Sequence, residues 1–200
     1  MTVDFRTVPV PATMKDRPRD PRGYPIPWNV LVDSTGKAHF TINDESLRAM
    51  AIRERLCPIC GVRLWRGLWF VGGPGSALHQ HGAYIDPPMH KECATYALRV
   101  CPYLAAPNYS NTKRIDAKTL SPEERAKIPV LIDNTTDPER PALFVLAMAL
   151  KMTVTYNNYL RPHRPWHGME FWRHGERLLH DAGMFIAKNE LQRKFPDGLS

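Results

Sequence analysis

The chain has 200 residues, 43% of them hydrophobic, and a formal net charge of +7 that results from 27 Lys and Arg against 20 Asp and Glu. This hydrophobic content can build a packed core, which excludes a wholly disordered protein. No apolar stretch reaches the roughly 18 residues of a membrane span, and residues 1–20 carry charges and prolines where a signal peptide would be apolar. The sequence therefore predicts a cytoplasmic protein without a membrane partner.

The positive charge and the four cysteines narrow the function classes further. A basic surplus suits an anionic partner, so DNA or RNA is a candidate, although the basic residues are scattered along the chain. Disulfides do not persist in a reducing cytoplasm, so the cysteines are read as metal ligands, buried thiols or redox groups.

The first predicted segment, residues 1–27, is a basic arm with six prolines. Proline removes amide donors and biases the preceding residue away from helix, so this arm is predicted to be extended. A strand, turn and strand pattern over 28–42 then predicts a β-hairpin. Asn43 is the predicted N-cap of the helix that leads to Cys57.

The next elements complete a predicted zinc-binding domain over 28–104. Branched and aromatic residues over 62–71, with Gly67 midway, predict a second hairpin. The glycine-rich residues 72–76 predict a loop, because they lack the lysine and helix of a phosphate-binding loop. Pro87 and Pro88 are expected to open a helix that runs to about Cys101 and stops at Pro102.

The remainder divides into two predicted segments. Residues 105–140 form a linker or surface excursion with one capping box, in which Ser121 precedes Pro122 and Glu124. Residues 141–200 are predicted to pack on the core as strands and a final helix over about 177–195. Within them the apolar run 142–150 fits either a helix or a buried strand, whereas 152–156 and 169–173 read as strands. The predicted fold class is α+β.

The strongest chemical signal is a set of predicted ligands for one structural Zn²⁺. In Cys57-Pro58-Ile59-Cys60-Gly61, a two-residue spacing lets one turn aim both sulfurs at a single tetrahedral ion. His90 and Cys93 then lie at i and i+3 at the start of a helix, on one face. Knuckle, hairpin and ligand-bearing helix follow in the order of a treble-clef finger, which predicts Cys57, Cys60, His90 and Cys93 as the ligands.

Other interpretations of the cysteines stay open. Cys101 could replace His90, but it lies eight residues after Cys93, about 12 Å along a helix. Cys57 and Cys60 also fit a redox pair, although a helix precedes them here. A catalytic deaminase zinc would match His90-Lys91-Glu92, but Cys93 would then close the position that water needs. Four unrelated core thiols are the remaining alternative.

Three stretches resemble a group of uncharacterised short bacterial and phage proteins. They are Cys57-Pro58-Ile59-Cys60-Gly61, Pro87-Pro88-Met89-His90-Lys91-Glu92-Cys93-Ala94 and Cys101-Pro102-Tyr103-Leu104. The resemblance covers 57–104 and, more weakly, 156–172. It implies a phage or mobile-element setting and supplies no mechanism.

A second candidate surface mixes cations with aromatic rings, which can hold phosphates and stack on bases. Its members are Arg161, His163, Arg164, Trp166, His167, Trp172, Arg173 and His174. Alternatively, the aromatic residues pack in the core and the charges are solvated.

The sequence favours a non-enzymatic, zinc-stabilised binding protein whose partner is nucleic acid or a nucleic-acid-handling host protein. One alternative is a metal-dependent nuclease of the His-Asn-His type, for which His79, His81 and Asp86 lie in the right stretch. The other is a phage protein that binds and modulates a host protein.

Overall fold

The computed structural model describes residues 5–106, 121–127, 140–156 and 158–196. These residues form a mixed α+β fold, as predicted. The strands are β1 (Val30–Val32), β2 (Ala38–Asn43), β3 (Leu68–Gly72), β4 (Phe144–Ala149), β5 (Met152–Val154), β6 (Leu160–Pro162), β7 (Gly168–Arg173) and β8 (Glu176–Arg177). The helices are α1 (Glu45–Glu54), α2 (Pro74–Leu78), α3 (Lys91–Val100), α4 (Pro102–Ala105), α5 (Pro122–Ala126) and α6 (His180–Lys194).

The centre of the fold is an antiparallel sheet with the order β3-β4-β7-β8. The apolar run that fits helix or strand by sequence is its central strand, β4, because neighbours on both sides pair with it. In the register, Leu68 pairs with Ala149 and Met148 pairs with Gly168. The start of β3, the end of β4 and the start of β7 therefore lie at the same end of the sheet.

The two faces of this sheet carry different cores, since alternate side chains of a strand point to opposite faces. Phe144 and Leu146 join a large cluster that includes Cys57, Cys60 and Cys93. On the other face, α2 and α6 cover a smaller cluster that contains only apolar residues: Ala77, Leu143, Val145, Ala147, Phe171 and Ala187. We call these the cysteine face and the helix face.

The predicted hairpin and helix before Cys57 are confirmed as β1, β2 and α1, with one correction. The N-cap of α1 is Asp44 and not Asn43. Asn43 is the last residue of β2 and pairs with Val30. The Asp44 carboxylate accepts hydrogen bonds from the amides of Ser46 at 2.9 Å and Leu47 at 3.3 Å.

Three further elements differ from the sequence predictions. The 62–71 segment forms no hairpin of its own, because β3 pairs with the distant strand β4. Helix α3 begins at Lys91 and not at the prolines, since the residues before it form a bridge between Met89 and Trp69. Pro102 ends α3 as expected but also opens the short helix α4.

The described part of the predicted N-terminal arm lies against the cysteine face. It contains two short 3-10 turns, Phe5–Thr7 and Ala12–Met14, and it contributes Val8 and Met14 to the core. The predicted capping box at Ser121 is confirmed, whereas most of 105–140 lies outside the described residues. The division of the chain into four segments stays a prediction. No helix in the described ranges combines the length and apolarity needed to cross a bilayer.

Candidate metal centre

Four buried side chains converge beside the sheet, and they are the four that the sequence predicts as ligands. One ligand atom from each of Cys57, Cys60, His90 and Cys93 lies within 4.8 Å of every other. Such a group could hold one metal ion. It is the one such cluster of three or more Cys, His, Asp or Glu in the part of the chain that the structure describes.

The turn that carries Cys57 and Cys60 is fixed by its own backbone. The Cys57 amide donates to the Val62 carbonyl at 2.8 Å, and the Gly61 amide donates to the Cys57 carbonyl at 2.8 Å. Gly61 has φ +79°, and a Cβ there would lie 2.7 Å from Cδ1 of Trp28. Glycine is required for both reasons: the left-handed backbone and the close indole.

The other two side chains are positioned by the N-terminus of α3. His90 immediately precedes the helix and Cys93 lies in its first turn, where the helix dipole favours a thiolate. His90 Nε2 lies 3.2 Å from the Arg63 carbonyl oxygen. A carbonyl only accepts, so Nε2 carries the proton and donates. Nδ1, which is 3.4 Å from Cys60 Sγ, is the nitrogen that faces the sulfurs.

The close packing of the three thiols shifts the pKa of each of them. Burial raises the pKa of the Cys57 thiol, but hydrogen bonds from Cys60, Cys93 and His90 outweigh burial and hold that pKa far below its usual value. Hydrogen bonding to Cys57 raises the pKa of Cys93 and of Cys60, and burial adds to both shifts. One thiolate therefore suppresses ionisation of the other two thiols, and a bound cation would remove that penalty.

The donor set fits zinc in type and in spacing. Zinc prefers four tetrahedral thiolate or imidazole ligands, and sulfurs bonded at about 2.3 Å lie about 3.8 Å apart. In the cluster every pair of ligand atoms lies within 4.8 Å, and Cys60 Sγ is 3.4 Å from His90 Nδ1. Cys101 is outside the cluster, at the C-terminal end of α3, where burial raises the pKa of its thiol.

The residues of the second predicted surface are not all in one place. Arg161, His163 and His167 are exposed near the start of β7, whereas Arg173 and His174 are exposed at its other end. The remaining three make internal contacts. Arg164 donates to the carbonyls of Ala77 and His79, Trp166 Nε1 donates to the Ala77 carbonyl, and Trp172 is buried.

The residues that suggest a His-Asn-His nuclease do not form a ligand cluster among the described residues. The rings of His79 and His81 lie 5.6 Å apart, but His79 also packs on Phe195. Asp86 accepts a hydrogen bond from the Asn43 side chain at 2.9 Å.

Sequence reasoning missed the residues just after the knuckle. Arg63, Trp65 and Arg66 are exposed, and the Trp65 ring lies 5.9 Å from that of His90. Leu64 between them is buried. The alternation Arg-Leu-Trp after Cys60-Gly61-Val62 was the available signal, because in extended chain it turns Arg63 and Trp65 to the same side.

Comparisons with known proteins assign no relative. No family model matches the chain, and neither the search of curated proteins nor that of solved structures finds a match.

Proposed function

We propose that this is a zinc-stabilised binding protein in which one structural Zn²⁺ is held by Cys57, Cys60, His90 and Cys93. The observation that carries the proposal is the convergence of three buried thiols and one oriented imidazole within 4.8 Å. Four protein ligands fill a tetrahedral site, which leaves no position for a substrate or a reactive water. The ion would thus serve the fold, and the protein would act by binding.

The knuckle and the ligand-bearing helix support a treble-clef-like arrangement, although the strand between them, β3, pairs with β4 and not within a hairpin of its own. The knuckle is closed by a bridge between Leu56 and Arg63, β3 forms a bridge to Met89, and α3 then carries the last ligand. Such a unit presents a rigid surface without using the metal chemically.

Nucleic acid is the proposed partner. The support is the surplus of 27 Lys and Arg over 20 Asp and Glu and, as described below, an exposed basic and aromatic surface beside the metal centre. A phage or mobile-element setting rests only on the resemblance, which covers 57–104 and, more weakly, 156–172.

The first test measures bound metal by elemental mass spectrometry on purified wild type, His90→Ala and the control His180→Ala. We expect one zinc per chain in wild type and in the control, and a large loss in His90→Ala, because the control removes an imidazole that lies outside the cluster. A metal-free wild type, purified without chelator, would contradict the proposed centre.

The second test measures binding of wild type to labelled DNA and RNA across a salt series. Affinity that falls steeply with salt supports a nucleic-acid partner, since bound phosphates release counterions. If the protein contains zinc but binds neither DNA nor RNA, the result would instead favour a protein partner. Metal-dependent DNA cleavage that is lost in His79→Ala would favour the nuclease.

A further inference from the structure

One end of the central sheet carries an unusual concentration of exposed basic and aromatic side chains. It is formed by the segments before β3, after β4 and before β7, together with the neighbouring strand β6. We call this surface the basic sheet end, and its exposed residues are Arg63, Trp65, Arg66, Leu150, Lys151, Arg161, His163 and His167.

The strand register brings these segments together although about 100 residues separate them. A Cβ at Gly67 would lie 2.9 Å from Met148 Sδ, which places the residues before β3 directly beside β4. The His167 amide donates to the Met148 carbonyl at 2.8 Å, and the His163 amide donates to the Lys151 carbonyl at 2.9 Å. These contacts place Gly67, Met148 and His167 side by side at this end of the sheet, with Lys151 and His163 adjacent to them. Arg66 directly precedes Gly67, and Arg161 pairs with Thr153 on the hairpin that follows Lys151.

Two members of the predicted surface whose side chains make internal contacts hold this arrangement in place. Arg164 and Trp166 donate to the carbonyls of Ala77 and His79 at the end of α2. They thereby anchor the loop on which His163 and His167 are exposed. In this stretch of cationic and aromatic residues, some side chains therefore make internal contacts while others are exposed on the surface.

The segments that form the basic sheet end carry charge of one sign. No Asp or Glu occurs between Gly61 and Leu68 or between Leu150 and Met169. Within the described residues, none of the cations Arg63, Arg66, Lys151 and Arg161 forms a salt bridge. Four uncompensated cations on one surface are complementary to a polyanion.

Trp65 identifies the kind of polyanion. Its side chain is 72% exposed, which is rare for tryptophan, while the preceding Leu64 is buried and the indole lies against the His90 ring. The indole therefore contacts the His90 ring while most of its surface is open to solvent. An unpaired base can stack on it, whereas the stacked bases of a duplex cannot.

We propose that the basic sheet end binds single-stranded nucleic acid, with Trp65 stacking on a base and Arg63, Arg66, Lys151 and Arg161 contacting phosphates. This inference rests on the proposed nucleic-acid function and adds its site and its ligand class. Because Trp65 lies against His90, the metal centre supports the stacking residue.

The test is fluorescence anisotropy with labelled oligo(dT) and oligo(U) and with a duplex of equal length. Because a base would stack on the indole, we expect Trp65→Ala to lower the affinity for the single strands about tenfold or more. Trp65→Phe keeps an aromatic ring and should retain most of the affinity. The matched control is Phe185→Ala, which removes a ring that is 67% exposed on α6. Zinc content and thermal unfolding are measured on each variant to show that the fold is intact.

The phosphate contacts have a separate readout. For single strands each phosphate contact contributes about 0.7 to the slope of log affinity against log salt, so Arg66→Ala combined with Lys151→Ala should lower the slope by roughly 1.4. Lys188→Ala, an exposed cation on α6, should leave the slope unchanged.

The outcomes separate the two proposals. Wild type that binds neither strand form would overturn the nucleic-acid function itself. Wild type that binds, with Trp65→Ala and the double variant unchanged, would place the ligand elsewhere and overturn only this inference. Tighter binding of the duplex than of either single strand would also overturn it.

Discussion

The two faces of the central sheet are built from different chemistry. The cysteine face combines apolar side chains with three buried thiols and depends, in our proposal, on a bound ion. The helix face has an apolar core without thiols and is covered by α2 and α6. This comparison predicts that the cysteine face depends on a metal ion, whereas the helix face needs only packing.

The largest expected effect is loss of the metal from the cysteine face. Cys57→Ser or Cys93→Ser removes a ligand, and structural zinc contributes on the order of 10 kcal/mol in small domains, comparable with the whole stability of a protein. We expect loss of zinc by elemental analysis and loss of a cooperative thermal transition. Excess chelator should reproduce both effects in wild type; a sharp transition at unchanged temperature after complete metal removal would show that this face does not need the ion.

The helix face should respond to a cavity without losing metal. Phe171 is fully buried on β7, so Phe171→Ala should lower the free energy of unfolding by about 3–5 kcal/mol. Denaturant unfolding measures the loss, and zinc should stay at one per chain. Release of zinc from the folded variant would mean that the two faces are coupled more tightly than the comparison assumes.

A close approach on the same face gives a smaller effect. At Gly183 in α6 a Cβ would lie 2.3 Å from Cβ of Phe171, so Gly183→Ala should cost about 1–3 kcal/mol despite the better helix propensity of alanine. The control is Gly75→Ala in α2, where a Cβ would be 3.4 Å from the Phe195 ring. Equal stability changes in the two variants would contradict the packing argument.

The sequence predicts the metal cluster more completely than the basic sheet end, and the reason is physical. Each half of the cluster is local: two cysteines within one turn, and His90 with Cys93 within one helical turn. The pairing of β3 with β4, by contrast, joins residues about 80 positions apart. Periodicity specifies that a segment is a strand but not its partner, so Trp65 and Lys151 could not be placed on one surface from sequence.

The lack of long-range information in the sequence also explains two smaller points: the N-cap of α1 and the ambiguity of the β4 segment. Asn43 and Asp44 are both good N-caps, and the choice between them follows from how far β2 extends. The apolar run of β4 fits a helix or a strand by sequence because a strand buried on both faces has no alternation to read.

The smallest expected effect concerns the fourth cysteine, which tests how specific the cysteine face is. Cys101 lies at the end of α3, outside the ligand cluster, and is half-buried. Cys101→Ser should therefore cost only about 1 kcal/mol and leave one zinc per chain, whereas Cys93→Ser on the same helix should remove the metal. Because the two substitutions are chemically identical, the difference in zinc content measures position alone. Equal metal loss in both variants would mean that Cys101 takes part in the site and that His90 is not the fourth ligand.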